Sequence, residues 1–181
     1  MLERIPDLIK AGVKSFKIEG RLRSPLYIGT VARIYRKYID QYFNRKISNK
    51  KIIIQEKDLD DLRIVFNREF TTGFGFNDSI TDTRQPMNRG LYLGNIKDGK
   101  IKLKKDLKIG DGIAIWTDNK IVGQKIDKIT LKSSSVAHAK KGDLIEIRMK
   151  NKLSNPGLIP VYKTSSVDLE VDLGDEIKNV K

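Results

Sequence analysis

Beyond the loop-like stretch 73–90 the apolar residues of this 181-residue chain switch to a period of two, and that switch limits what each half can fold into. Up to about residue 72, apart from one short alternating run at 13–18, apolar side chains recur every three or four positions, the period of a helix face. From Leu91 onward they alternate with polar ones in short runs: LYLGNI, KIKLKK, GIAIW, KIVGQKI, KITLK, LIEIRM and LIPVYK. Turn signals such as Lys97-Asp98-Gly99 and Asp118-Asn119 separate the runs, and many short strands at close spacing predict a small antiparallel β-barrel. Two stretches, LKIGDGIAI and AKKGDLIEI, carry the same basic–Gly-Asp–apolar pattern and predict the same turn entering a strand. Asp172 to Lys181 read as a frayed end.

The first half reads as helix–strand–helix, a piece of an α/β layer. Leu2, Ile5, Leu8 and Ile9 share a helical face, and Gly12 stands where a left-handed cap would close it. VKSFKI, residues 13–18, alternates and predicts a short strand. Ser24-Pro25 starts a helix expected to run to Phe43, with Ile28, Val31, Tyr35, Tyr38 and Tyr42 on one stripe. After a polar connection over 44–51, Asp58 is expected to cap a third helix, whose buried face is Leu59, Leu62, Val65 and Phe66. Asp60 and Asp61 then complement the helix dipole, a simpler reading than a metal site. Gly73, Gly75, Asn77-Asp78 and Pro86 mark a loop-like boundary. The expected organisation is therefore an α/β unit over 1–76, a linker over 77–90, and an all-β unit over 91–181 with a frayed tail.

Charge narrows the partners. The chain carries 36 Lys and Arg against 23 Asp and Glu, a formal +13. Residues 1–50 hold 12 basic and 4 acidic side chains, residues 51–90 hold 6 and 7, and residues 91–181 hold 18 and 12. Excess in both flanking regions suits a polyanion such as RNA; a lysine-rich solvated surface would give the same count. In the last region every basic residue but Arg148 is lysine, a point charge without the planar fork used to read bases. With no cysteine the chain has no disulfide, no thiolate nucleophile and no cysteine-ligated zinc or iron–sulfur cluster. The single His138 excludes any site needing two imidazoles and reads as a strand or turn residue. MLERIPDLIK lacks the apolar core of a secretory signal, and no run approaches the ~20 apolar residues of a spanning helix. No membrane association is expected, and the expected compartment is the cytoplasm.

Three stretches could carry chemistry. In FKIEGRLRSP, Glu19, Arg21 and Arg23 sit between the expected strand and the helix start, the edge where parallel α/β layers bind ligands. Two guanidiniums there could hold a carboxylate or phosphate, with Glu19 orienting an arginine or acting in acid–base chemistry. Alternatively Glu19 pairs with an arginine only to tie the loop. In FNREFTTGFGF, Asn67, Arg68 and Glu69 lie among phenylalanines, a mixture that stacks nucleobases or simply glues two layers together. In MNRGLYLGNI, Asn88-Arg89-Gly90 precedes the first barrel strand, with Gly90 serving a turn or a close backbone approach. No phosphate-binding glycine loop, EF-hand or zincin helix occurs. The site candidates are therefore Glu19, Arg21, Arg23, Asn67, Arg68, Asn88 and Arg89, with no catalytic residue and no metal ligand assigned.

Taken together, IPDLIKAGVKSFKIEGRLRSPLYIGTVARIYRKYID, FNREFTTGF (with Glu69 where glycine is usual) and NRGLYLGNI resemble the collagenase-like U32 peptidase family. The later GDGIAI, KKGDLIEIR and VYKTS extend the likeness to about residue 166. The resemblance implies the last strand–helix unit of a TIM-like barrel followed by a small antiparallel β-barrel. The family includes proteins named as peptidases and proteins of RNA hydroxylation, some with a cysteine-ligated iron–sulfur cluster. It further implies that this sequence is the C-terminal part of a longer protein or one product of a split gene. The partner would then be an N-terminal barrel half, and any cluster would belong there and not to this chain. The leading expectation is an anion-binding edge plus an accessory barrel, not catalytic alone. The alternative is the RNA-binding part of a tRNA or rRNA hydroxylation enzyme.

Overall fold

Ser24 Oγ accepts the amide of Tyr27 at 3.2 Å. With Pro25 at the first helical position, it starts the 22-residue helix Pro25–Lys46. In the computed structural model this helix, α2, follows a 3-10 turn over Leu2–Arg4 and a short helix α1, Ile5–Lys10. A third helix, α3, spans Glu56–Val65. The structure describes residues 1–46, 52–72, 76, 88–117, 121–149 and 157–179. They fall into two compact units, Met1–Asn88 and Arg89–Lys181.

In the first unit the helical stripes meet as their spacing requires. Leu2, Ile5, Ile34, Tyr38 and Leu62 are buried together, with Val31, Tyr35, Ile39 and Leu59 against them. Burying side chains of this size stabilises the unit by about 1.5–3 kcal/mol each. Tyr38 also carries a polar load. Its hydroxyl donates to Asp58 Oδ2 at 2.5 Å and accepts the amide of Gln55 at 2.8 Å. Lys37 Nζ reaches the same carboxylate oxygen at 2.6 Å. Asp58 therefore does not cap α3 as its sequence position suggested. The helix starts one turn earlier, with Gln55 at the N-cap, and the carboxylate ties α3 to α2. Nor is Val13–Ile18 a strand: among the described residues the first unit holds helices and turns only. A strand needs a neighbouring backbone to fill its ladder, and Val13 and Ile18 stand exposed.

The second unit matches its alternation closely. Its strands are β1 Leu91–Lys97, β2 Lys100–Lys102, β3 Leu107–Lys108, β4 Gly112–Trp116 and β5 Ile121–Lys125. They continue as β6 Ile129–Leu131, β7 Ser134–Val136, β8 His138–Ala139, β9 Leu144–Ile147 and β10 Ile159–Ser165. Eight of them form one antiparallel sheet in the order β5-β4-β10-β1-β2-β9-β6-β7, and β3 pairs with β8. The inward side chains from β1 to β10 form a single buried cluster, including Leu93, Ile96, Ile113, Ile129 and Val161. The sheet curls round that core as a half-barrel, which is how much of the small antiparallel β-barrel is seen: among the described residues β5 and β7 end it and do not pair with each other.

The two Gly-Asp repeats fold alike. Asp111 Oδ2 accepts the Lys108 amide at 2.9 Å and Asp143 Oδ2 accepts the Lys140 amide at 2.8 Å. Gly110 and Gly142 stand at φ 92° and 97°, the left-handed region where glycine carries no Cβ penalty. Gly90 is the close approach expected of it: a Cβ there would lie 2.5 Å from the Lys163 carbonyl oxygen. The tail differs from expectation. A fourth helix, α4, runs Val167–Asn179, and Leu169 and Leu173, one turn apart, are buried. A buried apolar stripe holds a helix that composition alone leaves frayed.

Candidate functional site

The turn before α2 decides how the basic edge is displayed. The amide of Arg23 donates to the Gly20 carbonyl at 3.0 Å, and Leu22 sits at φ 62° and 95% exposed. This left-handed kink separates Arg21 from Arg23. Arg21 is exposed, whereas the Arg23 guanidinium carbon lies 3.5 Å from the ring centroid of Phe66, the residue that follows α3. Tyr27 meets the same ring edge-on at 6.3 Å. Glu19 lies 3.8 Å from Lys17, both well exposed. Its ion pair is therefore with a lysine, and neither arginine is needed to tie it down.

Asn67 and Asn88, 21 residues apart in sequence, come together. Asn88 Oδ1 accepts the Asn67 amide at 2.9 Å, and Asn88 Nδ2 donates to the Ile64 carbonyl at 3.4 Å. Asn67 is 7% exposed; its Nδ2 donates to the Arg63 carbonyl at 2.6 Å and its Oδ1 accepts the Glu69 amide at 3.2 Å. The two amides close the C-terminus of α3, where helical carbonyls lack partners. Asn67, Arg68 and Glu69 line a concavity of about 560 Å³ with Tyr27, Tyr35, Arg63 and Phe66. Arg63 lies over the Phe70 ring at 5.2 Å on the same wall. Guanidinium–phenyl pairs of this kind offer a flat face beside a positive charge.

On α3 the carboxylates of Asp58 and Asp61 are paired. Burial pushes the Asp58 carboxyl up, but hydrogen bonds from Lys37 and Tyr38 and the charges of Lys37 and Lys57 outweigh it and hold the group below its ordinary range. Asp61 accepts Lys57 Nζ at 2.9 Å, with Arg33 at 3.6 Å. Among the described residues no group of three or more His, Asp or Glu could hold a metal ion. The chain, lacking cysteine, contributes no thiolate to a cluster. No helix among the described residues is long and apolar enough to cross a membrane. His138 Nε2 lies 3.5 Å from Asp106 Oδ2 at the β3–β8 pair.

Arg89 belongs to the second unit and lies over Trp116, 5.8 Å from the ring. Trp116 packs on Tyr162 at 4.9 Å, and Tyr162 on Tyr92 at 5.4 Å. Lys104 Nζ stands 5.1 Å from the Tyr92 ring. Burial raises the Tyr162 hydroxyl despite the nearby Arg89 charge, with Tyr92 adding to the rise, so it stays protonated. No motif announces this group. Its rings come from three strands, at positions 92, 116 and 162, and only the alternation within each strand could have placed them on one face.

Comparison with known proteins gives a consistent likeness. The model of peptidase family U32 matches residues 1–85. A Porphyromonas gingivalis collagenase is 31% identical over 163 residues, 82% of this chain and 44% of its own length. The tRNA hydroxylation protein P1 of Bacillus subtilis is 39% identical over 74 residues, 41% of this chain and 17% of its own. A solved structure, the C-terminal domain of a Geobacillus thermoleovorans protein assigned to the U32 peptidases, covers 41% of this chain and 88% of its own, with TM-score 0.32 and 19% identity. The chain thus spans less than half the length of the curated relatives it matches.

Proposed function

The chain belongs to peptidase family U32, and on that premise we propose that it is the substrate-holding part of a larger RNA-modifying enzyme, not its reacting centre. The observation that carries this reading is the Arg23–Phe66 stack beside a concavity walled by Arg63 and Arg68. Such a wall attracts phosphate and offers rings to bases, with the Glu3 and Glu69 carboxylates also on it. The formal +13 charge and the likeness to a tRNA hydroxylation protein favour RNA as the polyanion. In this reading the first unit packs against the remaining strands of a TIM-like barrel, from the same or a separate chain. Any iron–sulfur cluster sits in that part, and the enzyme works in the cytoplasm.

The test is tRNA binding by fluorescence anisotropy over a salt series. Neutralising about six phosphates gives a log–log salt slope of about −4 to −5. Absence of binding at about 50 mM salt, where such contacts are strong, contradicts the reading.

The long match to a protein named collagenase favours a second reading, in which the same edge holds an acidic group of a peptide substrate. There, replacing Arg21 and Arg23 by alanine in the complete enzyme lowers gelatin cleavage with tRNA binding unchanged. Unaltered cleavage excludes it.

A further inference from the structure

The outer face of β4-β10-β1-β2 departs from what a solvated sheet face normally carries. Strand alternation sends Ile113, Ile115, Val161, Leu91 and Leu93 into the core, so their neighbours Trp116, Tyr162 and Tyr92 point the other way. Register aligns them: Tyr162 pairs with Tyr92 on one side and with Ala114 on the other, two residues from Trp116. All three rings are half-buried, not sealed. Among the described residues the buried Trp116 indole nitrogen has no acceptor, and the ring packs on Tyr162.

The cations around the rings belong to the same face. Arg89 and Lys104 stand over its two end rings. Across the adjoining hairpin Lys97 lies directly opposite Lys100, and Lys102 follows on the same side. Like charges opposed on a ladder are destabilising, and the facing Glu146 offsets only part of this. A row of rings edged by a lysine row fits a single strand of nucleic acid, whose bases stack on π-faces while its phosphates meet point charges.

We propose that Trp116, Tyr162 and Tyr92, flanked by Arg89, Lys104, Lys97 and Lys100, form a base-stacking platform for unpaired RNA on the second unit. The inference deepens the RNA reading and rests on it, but names a different surface from the arginine edge of the first unit. Duplex RNA, with its bases already stacked, engages only the cations.

Trp116 is the only tryptophan, so its fluorescence reports the platform directly. The full chain is titrated with an unpaired oligoadenylate of about ten nucleotides, with a duplex of equal length, and with a proline-rich peptide, which aromatic grooves also accept. The expected result is quenching by the unpaired strand only, with Tyr162→Leu weakening its binding about tenfold or more and Tyr162→Phe restoring it. RNA binding seen by anisotropy without quenching, and unaffected by Tyr162→Leu, overturns the platform and leaves the RNA reading standing. Absence of any RNA binding overturns both, and quenching by the peptide alone reassigns the surface to a protein partner. If Tyr162→Leu loses the native β circular dichroism, the wild-type quenching together with Lys104→Gln decides; a salt slope unchanged by Lys104→Gln, with no quenching, counts against the proposal.

Discussion

Lys163 Nζ lies 2.7 Å from Asp111 Oδ2, with Asp111 1% and Lys163 7% exposed, so the core of the second unit contains a sealed ion pair. Asp111 also accepts the Lys108 amide at 2.9 Å and the Val167 amide at 3.1 Å. One carboxylate thus joins the turn before β4, strand β10 and the start of α4. Removing one partner of a buried pair leaves an uncompensated charge and costs about 3–5 kcal/mol. Asp111→Ala is expected to cost this much in urea unfolding followed by Trp116 fluorescence. Lys163→Met costs less, because Asp111 keeps two amide donors. A loss under about 1 kcal/mol for Asp111→Ala contradicts this account.

Asn88, a binding-site candidate, makes its hydrogen bonds at the end of α3. Asn88→Ala leaves the Asn67 amide and an α3 carbonyl to find other partners, a loss of about 1–3 kcal/mol of stability. Its effect on RNA affinity is expected to be under twofold. A large drop in affinity at unchanged stability returns Asn88 to the binding surface.

Acid acts on the first unit through Asp58. The folded state holds this carboxyl below its ordinary value of 3.8, so the unfolded chain takes up the proton first as pH falls. The stabilisation is complete above the unfolded value and is lost as pH drops through it towards the folded one. Helical circular dichroism in a urea series is expected to show falling stability from about pH 5 downward. Asp58→Asn lowers stability at neutral pH and flattens that fall. An unchanged acid profile in the variant contradicts the assignment.

What was legible in the sequence was local. Ser24-Pro25 starts a helix because both the cap and the fixed φ act within one turn. The paired Gly-Asp turns are readable because the aspartate accepts an amide three residues back. Asp98 and Gly99 likewise take positive φ between Lys97 and Lys100. What failed depends on distant backbone. Val13–Ile18 has a strand's alternation but no ladder partner among the described residues. Asp58 has a capping residue's chemistry, yet Tyr38, 20 residues earlier, claims its oxygen. Of the site candidates, Asn67 and Asn88 meet at the end of α3, with Asn67 also on the wall of the concavity, Arg23 is a stacked cation, and Arg89 stands on an aromatic face. That face stayed hidden because Tyr92, Trp116 and Tyr162 become neighbours only once β10 inserts between β4 and β1.

The central claim is that the chain holds RNA partly through the exposed arginine edge of Gly20–Ser24. Its most direct test is the salt slope of tRNA binding for wild type against the double variant Arg21→Ala/Arg23→Ala. Loss of two phosphate contacts makes the slope shallower by about 1.4–1.8 and weakens binding most at low salt. An identical slope and affinity in the two proteins contradicts it.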